Sequence, residues 1–208
     1  MENITEAVEK TIKGANNDEE KAKSIFHFVR DTILFGFINS YYLADAEEVL
    51  KKRCGVCMNK TALLVAMANK AGIPARFHYS WVTPECLMDL IHPIHYKKLP
   101  DPFLHVFADV KLYDRWVPMD TIFDNRLHKA LLKKKLNFAR YPENRSLSNE
   151  FSSSGVIGGP MLFEVEDGGY SNDLSRLYET YPVKLSHRIL KPFVFRLNNR
   201  IIRKVREA

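Results

Sequence analysis

The sequence lacks the features that direct a chain into or across a membrane. Residues 1–15 are charged and contain no apolar core of the kind that secretion signals carry. No apolar run approaches the ~20 residues that a membrane-spanning helix needs. Cysteine is scarce, with three in 208 residues, and an odd number without a secretion signal is typical of free thiols in a reducing compartment. The sequence therefore predicts a cytoplasmic protein without a transmembrane segment.

The sequence also lacks internal repeats, long low-complexity tracts and a strong excess of one charge. The net charge of +6 at pH 7 permits an acidic partner but does not require one. Gly158-Gly159 lacks the lysine and the helix that follow a phosphate loop, so no nucleotide site is predicted. Apolar residues make up 46% of the chain, which is typical of a folded domain. At this length, residues 1–208 are expected to form a single domain.

Hydrophobic spacing and turn residues predict a mixture of helices and strands. The predicted helices cover residues 2–13, 18–35, 45–52, 57–71 and 125–140, with a final helix from about Pro192 to Arg206. The predicted strands are residues 76–82 and a hairpin over 103–122, and the segment 84–102 between them is expected to be a surface connection. Asp167-Gly168-Gly169 is expected to be a turn between short strands.

One predicted helix begins at Cys57, directly after Gly55-Val56. Gly72 and Pro74 give it a natural end, because glycine favours the position just after a helix and proline cannot continue one. A cysteine in the first turn faces unpaired backbone N–H groups and the positive end of the helix dipole. Both favour the thiolate over the thiol, so Cys57 is a candidate nucleophile.

Strand alternation on the predicted hairpin brings a histidine and an aspartate together. His105 and Phe107 share one face of the first strand, and Asp120 lies on the second. With a two-residue turn at Tyr113-Asp114, the residue numbers of opposed positions on the two strands sum to 227. Asp120 is then opposite Phe107 and diagonal to His105. Both side chains then lie on one face within hydrogen-bonding reach. A turn with an odd number of residues would place them on opposite faces.

These three residue types support nucleophilic catalysis. A thiolate can attack an amide or thioester carbonyl to form an acyl-enzyme. A histidine then protonates the leaving group, and an acid fixes the imidazole tautomer and stabilises the imidazolium. The backbone N–H of Cys57 and a second donor would hold the oxyanion. The candidates for that donor, or for substrate contact, are Asn39, Tyr41, Tyr42 and Trp116.

Three blocks of sequence around these residues resemble the transglutaminase-like superfamily. They occur in the family's order and cover roughly residues 25–125. They are Ala46-Glu47-Glu48-Val49-Leu50 with Gly55-Val56-Cys57-Met58-Asn59-Lys60 and Ala71-Gly72-Ile73-Pro74-Ala75-Arg76; His105-Val106-Phe107-Ala108-Asp109-Val110; and Arg115-Trp116-Val117-Pro118-Met119-Asp120-Thr121.

The resemblance implies an α+β fold with a papain-like core, in which the cysteine helix packs on an antiparallel sheet. It implies that Cys57 is the nucleophile, His105 the base and acid, and Asp120 the orienting carboxylate. The family-like core would cover about 18–125, followed by a C-terminal elaboration over about 126–208. Phe107 stands where the family commonly has tryptophan, and Asp109 where it commonly has glutamate. No calcium-site pattern is present, which is unlike the large calcium-dependent transglutaminases.

Each residue also has a plainer interpretation, and two other uses of the cysteines stay open. Cys54-Gly-Val-Cys57 is a C-x-x-C at a helix N-terminus, as in thioredoxin-like redox motifs, and could form a reversible disulfide. With His92-x-x-His95 it could supply four zinc ligands, although the intervening stretch is far longer than in a compact zinc finger. Cys86 has no evident partner.

The basic segments most simply form solvated faces of helices. Lys133-Lys134-Lys135 lies beside leucines, and in the final helix Phe193, Leu197, Ile201 and Val205 form an apolar stripe expected to face the core. Contact with nucleic acid or an anionic membrane is the less favoured interpretation, and no nucleic-acid partner is expected.

The sequence thus predicts a cysteine-dependent acyl-transfer enzyme with a Cys-His-Asp triad. Its expected reaction is hydrolysis of an amide or peptide bond in a peptide, a protein or a small amide, with no metal or other cofactor. The alternative is a catalytically silent binding or scaffold module with the same fold, because the superfamily includes members that have lost catalysis.

Overall fold

The computed structural model describes residues 2–38, 45–133, 150–152, 154–155, 163–180 and 185–208, with side chains in the last range from 192 onward. The helices are α1 (Ile4–Thr11), α2 (Asp18–Thr32), α3 (Ala46–Lys52), α4 (Cys57–Lys70), α5 (Pro93–Tyr96), α6 (Asn125–Lys133), α7 (Ser175–Thr180) and α8 (Leu185–Glu207). The strands are β1 (Leu34–Phe35), β2 (Cys54–Gly55), β3 (Ala75–Val82), β4 (Phe103–Leu112), β5 (Arg115–Met119) and β6 (Glu164–Ser171). No helix within these ranges is both long enough and apolar enough to cross a membrane.

The central sheet is antiparallel and has the strand order β5-β4-β3-β6. Ala108 pairs with Met119 and Leu112 with Arg115, which is the register predicted from the sequence. Tyr113 (φ 50°) and Asp114 (φ 61°) both adopt the left-handed conformation. Two consecutive residues of this kind form a type I′ turn, whose twist matches that of the flanking strands. The two-residue turn is therefore confirmed, and with it the strand alternation.

The fourth strand corrects one expectation. Asp167-Gly168-Gly169 was expected to be a turn, but it lies inside β6, which pairs with β3. Gly168 is the extra residue where the register shifts between Tyr79 and Ser80. A Cβ at Gly168 would lie 2.8 Å from the Cβ of Tyr79. Only glycine allows the backbones to approach this closely, so the bulge explains why a turn-like sequence occurs within a strand.

Helix α4 packs on β4 and β3 and is buried on nearly all sides. The helices α1, α2 and α3 cover it on the side away from the sheet. The Thr61 hydroxyl donates to the Val106 carbonyl at 3.1 Å, which fixes α4 against β4. The observed architecture is an α+β fold in which the cysteine-bearing helix packs on an antiparallel sheet, as predicted.

The segment 84–102 is not only a surface connection. It contains a short 3₁₀ turn, Pro84–Leu87, and α5. Cys86 and Leu90 are fully buried, and Ile91 is nearly so. These apolar side chains interrupt a proline-rich stretch, so the connection folds back onto the core at these positions.

Helix α8 begins at Leu185 and contains Pro192, so the predicted start near Pro192 is wrong. The predicted apolar stripe is also rotated: Phe193 is 78% exposed, whereas the buried face carries Phe195, Asn198, Ile202 and Val205. A polar contact explains the rotation of the buried face. The side-chain oxygen of Asn198 accepts the N–H of His92 at 3.1 Å, so an amide occupies a position on the buried face.

Candidate active site

Cys57 occupies the first position of α4, as the sequence predicted, and its side chain is half-buried. The preceding turn is held by Asn59, whose Oδ1 accepts the N–H of Val56 at 3.1 Å. A Cβ on Gly55 would lie 2.6 Å from the Cβ of Asn59, so the turn requires glycine there. The backbone around the thiol is thus fixed by one buried amide and one close approach.

His105 and Asp120 form a buried hydrogen-bonded pair. Nε2 of His105 lies 2.9 Å from Oδ2 of Asp120, and the two side chains are 0% and 2% exposed. The other oxygen of Asp120 accepts the N–H of Ile122 at 3.0 Å. The carboxylate is therefore fixed by its own backbone as well as by the ring. The hairpin register brings the two side chains together as the sequence predicted.

The environment of His105 favours its charged form. Burial of the ring disfavours the imidazolium, but the charge and hydrogen bond of Asp120 outweigh this effect, with a smaller contribution from Cys57. Together they raise the pKa of His105 from 6.5 to about 10. At neutral pH the ring is therefore an imidazolium that can donate from both nitrogens.

The thiol of Cys57 lies near this ring. It lies close enough for a hydrogen-bonding interaction and its charge to raise the pKa of His105. Because Nε2 is bonded to Asp120, Nδ1 is the nitrogen available to the sulfur. Within the described part of the chain, Nδ1 is buried without a partner that meets ordinary hydrogen-bond geometry. The sulfur and the ring are thus in near contact, as in many resting sites whose hydrogen bonds tighten only with substrate.

Two buried groups near the site were not identified from the sequence. Burial raises the pKa of Cys86 well above its ordinary value, and the nearby charges of Cys57 and Asp120 raise it further. Lys60 is fully buried, and its ammonium donates to the Arg30 carbonyl at 3.0 Å. Burial lowers the pKa of Lys60 to about 7, against the attraction of nearby carboxylates. A lysine one turn after the cysteine gives no sequence signal of burial, because lysine is usually exposed.

Of the other sequence candidates, Trp116 is described by the structure and lies away from this cluster. Trp116 lies on β5, four positions before Asp120. Four residues span about 13 Å along a strand. Its ring packs against the guanidinium of Arg76, 4.1 Å from the ring centre. A contact between Trp116 and substrate stays a prediction. Asn39, Tyr41 and Tyr42 lie outside the described residues.

The alternative uses of the cysteines gain no support. Cys54, Cys57 and Cys86 are all free thiols. Cys54 lies in β2, with its sulfur 2.8 Å from the position that a Cβ on Gly36 would take. Burial raises the pKa of the Cys54 thiol, which makes it a poorer nucleophile at neutral pH. Among the described side chains, no group of three or more His, Cys, Asp or Glu could hold a metal ion.

The chain is similar to known proteins at the level of a family model and of several solved structures. The family model of the transglutaminase-like superfamily matches residues 5–121. No curated protein matches the chain. Among solved structures, a candidate cysteine protease from Cytophaga hutchinsonii is 17% identical, with a TM-score of 0.45, over 57% of this chain and 36% of that one.

Two further solved structures are similar at the same level. A candidate protease from Parabacteroides distasonis is 14% identical, with a TM-score of 0.41, over 56% of this chain and 22% of that one. A TGase is 16% identical, with a TM-score of 0.41, over 59% of this chain and 30% of that one. The match thus spans about a third or less of the length of these structures.

Proposed function

Because the chain belongs to the transglutaminase-like superfamily, we propose that it is a cysteine-dependent acyl-transfer enzyme that hydrolyses an amide or peptide bond. Cys57 is the nucleophile, His105 the general acid and base, and Asp120 the carboxylate that orients the imidazole. The observation that carries the proposal is the buried His105–Asp120 hydrogen bond of 2.9 Å, with the Cys57 thiol close enough to the ring to raise the pKa of His105.

The acylation step follows from the charge state of this cluster. The Cys57 thiolate attacks the carbonyl carbon, and the electron pair of the C=O bond moves to oxygen. The backbone N–H of Cys57 lies in the first turn of α4, where amides lack helical acceptors, and donates to that oxyanion. When the C–N bond breaks, the His105 imidazolium gives its Nδ1 proton to the departing amine. The product is a thioester on Cys57 and a free amine.

The deacylation step uses the same groups in reverse. Neutral His105 takes a proton from water, and the resulting hydroxide adds to the thioester carbonyl. Collapse of the tetrahedral intermediate breaks the C–S bond and releases a carboxylic acid. Asp120 keeps its hydrogen bond to the ring and stabilises the imidazolium, which is consumed in acylation and formed again in deacylation. Hydrolysis is proposed because water is the acceptor always present, whereas transamidation requires a second bound amine.

Alkylation kinetics test the nucleophile directly. A thiolate paired with an imidazolium reacts with iodoacetamide at pH values well below the ordinary thiol pKa of about 8.5. We expect fast modification of Cys57 near neutral pH, strongly slowed in His105→Ala. Peptide mapping by mass spectrometry separates this modification from that of Cys54 and Cys86. The double variant Cys54→Ser/Cys86→Ser, which retains Cys57, should react at the wild-type rate.

The outcome separates the enzyme from a catalytically silent module of the same fold. If Cys57 reacts no faster than an ordinary thiol, the triad is not active and the proposal is wrong. If it reacts fast, a library of amides, peptides and thioesters incubated with wild type and with Cys57→Ala identifies the acyl donor. An adduct on Cys57 of the mass of the acyl group, absent from the variant, is the expected result.

A further inference from the structure

A cleft of about 860 Å³ lies between α8 and the backbone that leads into the cysteine turn. We name it the basic cleft and define it by residues 34–37, residues 52–54 and the face of α8 from Pro192 to Arg206. Its volume is that of a small-molecule site. Neither Cys57 nor His105 lines it, so it is separate from the proposed catalytic cluster.

The charge of the basic cleft is of one sign. Six basic side chains and no acidic one line it among the described residues: Lys52, Arg53, Arg196, Arg200, Arg203 and Arg206. Three of these have acidic partners, since Lys52 pairs with Glu48, Arg53 with Glu2, and Arg206 with Asp124.

The remaining three cations have no acidic partner among the residues that the structure describes. Within the ranges that the structure describes, Arg196, Arg200 and Arg203 form no ion pair, and all three are exposed. They are spaced at i, i+4 and i+7, which places them on one face of α8 over about 10 Å of helix. A row of guanidinium groups of this length matches an anion with several charges in line better than a single carboxylate.

The floor of the basic cleft is fixed before any ligand binds. Asn199 accepts the N–H of Phe37 at 2.8 Å and donates to its carbonyl at 2.8 Å, so the amide clamps both backbone groups of one residue. The ring of Phe37 stacks on that of Phe195, with centres 5.1 Å apart and planes at 20°. A fixed apolar floor below a cationic wall reduces the ordering cost of binding.

We propose that the basic cleft binds a phosphate-bearing polyanion, held by Arg196, Arg200 and Arg203. Guanidinium groups form paired, charge-assisted hydrogen bonds with phosphate oxygens, and two or three linked phosphates present such oxygens in line. The site is independent of the reaction proposed for Cys57, and no covalent step occurs in it.

Calorimetry with inorganic tripolyphosphate tests the proposal on the full chain. We expect binding that weakens steeply with salt, and a loss of at least about tenfold in affinity in Arg200→Glu/Arg203→Glu. The matched control is Arg126→Glu/Lys129→Glu, which makes the same charge change at exposed positions of α6 outside the cleft. If the control weakens binding as much as the cleft variant does, net charge accounts for the effect and the site is wrong. Circular dichroism confirms that each variant is folded.

Other probes distinguish the source of the phosphate and the class of anion. Binding of tripolyphosphate but not of citrate supports the phosphate assignment, and equal binding of both overturns it. The contrary result is that the protein binds vesicles that contain phosphatidylinositol bisphosphate and shows no binding of tripolyphosphate. That result would identify a membrane surface, not a soluble ligand, as the partner and would overturn the proposal. Cys57→Ser should bind tripolyphosphate as wild type does, even if the proposed hydrolysis is never observed.

Discussion

Replacing Asp120 with asparagine isolates the charge that keeps the imidazole of His105 protonated. The side chain keeps its size and can still hydrogen-bond the ring, but its negative charge is lost. In the wild type, burial is the largest effect on the ring, but this charge together with the hydrogen bonds of Asp120 and Cys57 outweighs it and raises the pKa of His105 to about 10. Without it, the effect of burial is opposed less strongly, so the pKa of His105 falls below its wild-type value of about 10.

The expected size of the effect follows from the thiolate population. An ordinary thiol with a pKa of about 8.5 is ~3% ionised at pH 7. If the wild-type pair is fully thiolate and imidazolium, loss of the pair slows alkylation of Cys57 by up to about 30-fold at pH 7. Rates measured with iodoacetamide between about pH 5 and 10 should be higher in the wild type than in Asp120→Asn, with the greatest difference at the acidic end of the range.

The strand itself offers a matched control. Asp109 is also buried on β4 and hydrogen-bonds a histidine, with its Oδ1 3.0 Å from Nδ1 of His78. Asp109→Asn removes an equivalent buried carboxylate but leaves the one that bonds His105. It should leave the alkylation profile of Cys57 unchanged. If both variants slow the alkylation of Cys57 equally, or if Asp120→Asn does not slow it, then Asp120 does not act through His105 on the nucleophile.

The same variant changes how stability depends on pH. The pKa of His105 is raised from 6.5 to about 10 in the folded chain. Its contribution is therefore fully present below pH 6.5 and is lost as the pH rises through about 10. Urea denaturation should show the wild type losing stability over this window. Asp120→Asn should lack that component, and an equal loss in both proteins would contradict the titration of His105.

Three further substitutions test the surroundings of the site. Gly55→Ala places a Cβ 2.6 Å from that of Asn59, so we expect a loss of about 1–3 kcal/mol in urea denaturation and slower alkylation; unchanged values would show that the turn yields. Arg206→Ala leaves Asp124, 1% exposed, without its ion pair, and should cost about 3–5 kcal/mol in the same assay; a loss below about 1 kcal/mol would show that the pair is solvated. Burial opposes protonation of His78, but two hydrogen-bonded carboxylates raise its pKa above 6.5. The stability of wild type over His78→Gln should therefore be greatest below pH 6.5 and fall as the pH rises; a difference independent of pH would exclude this titration.

The elements that the sequence predicted well are those that local rules decide. The hairpin depends on one turn, and Tyr113-Asp114 admits a two-residue turn in which both residues are left-handed. Strand parity then follows without any knowledge of the rest of the fold. The start of α4 is equally local, because Gly55 and the buried Asn59 fix the turn before it. The pairing of His105 with Asp120 was predictable for this reason.

The elements that the sequence missed depend on distant partners. The bulge in β6 forms because Gly168 lies against the backbone of Tyr79, and nothing near Gly168 in the sequence reports that contact. The buried face of α8 is set by amides that reach other segments, so an apolar stripe alone gave the wrong face. Burial of Lys60 depends on the Arg30 carbonyl, thirty positions away. Tertiary contacts override local periodicity in each case.

The C-terminal helix contacts the backbone that leads into the candidate site, although the family match ends at residue 121. Strand β1 pairs in parallel with β2, which leads directly into the cysteine turn. Arg206 of α8 donates to the carbonyl of Phe35 at 2.8 Å and binds Asp124, and Asn199 holds the backbone of Phe37. Arg206 and Asn199 hold the backbone of β1 and of the residues after it through these hydrogen bonds. The backbone beside Cys57 is therefore stabilised by residues that the family-like core does not contain. A core cut after residue 125 would lose that stabilisation, so the cysteine turn and α8 are best understood as one cooperative unit.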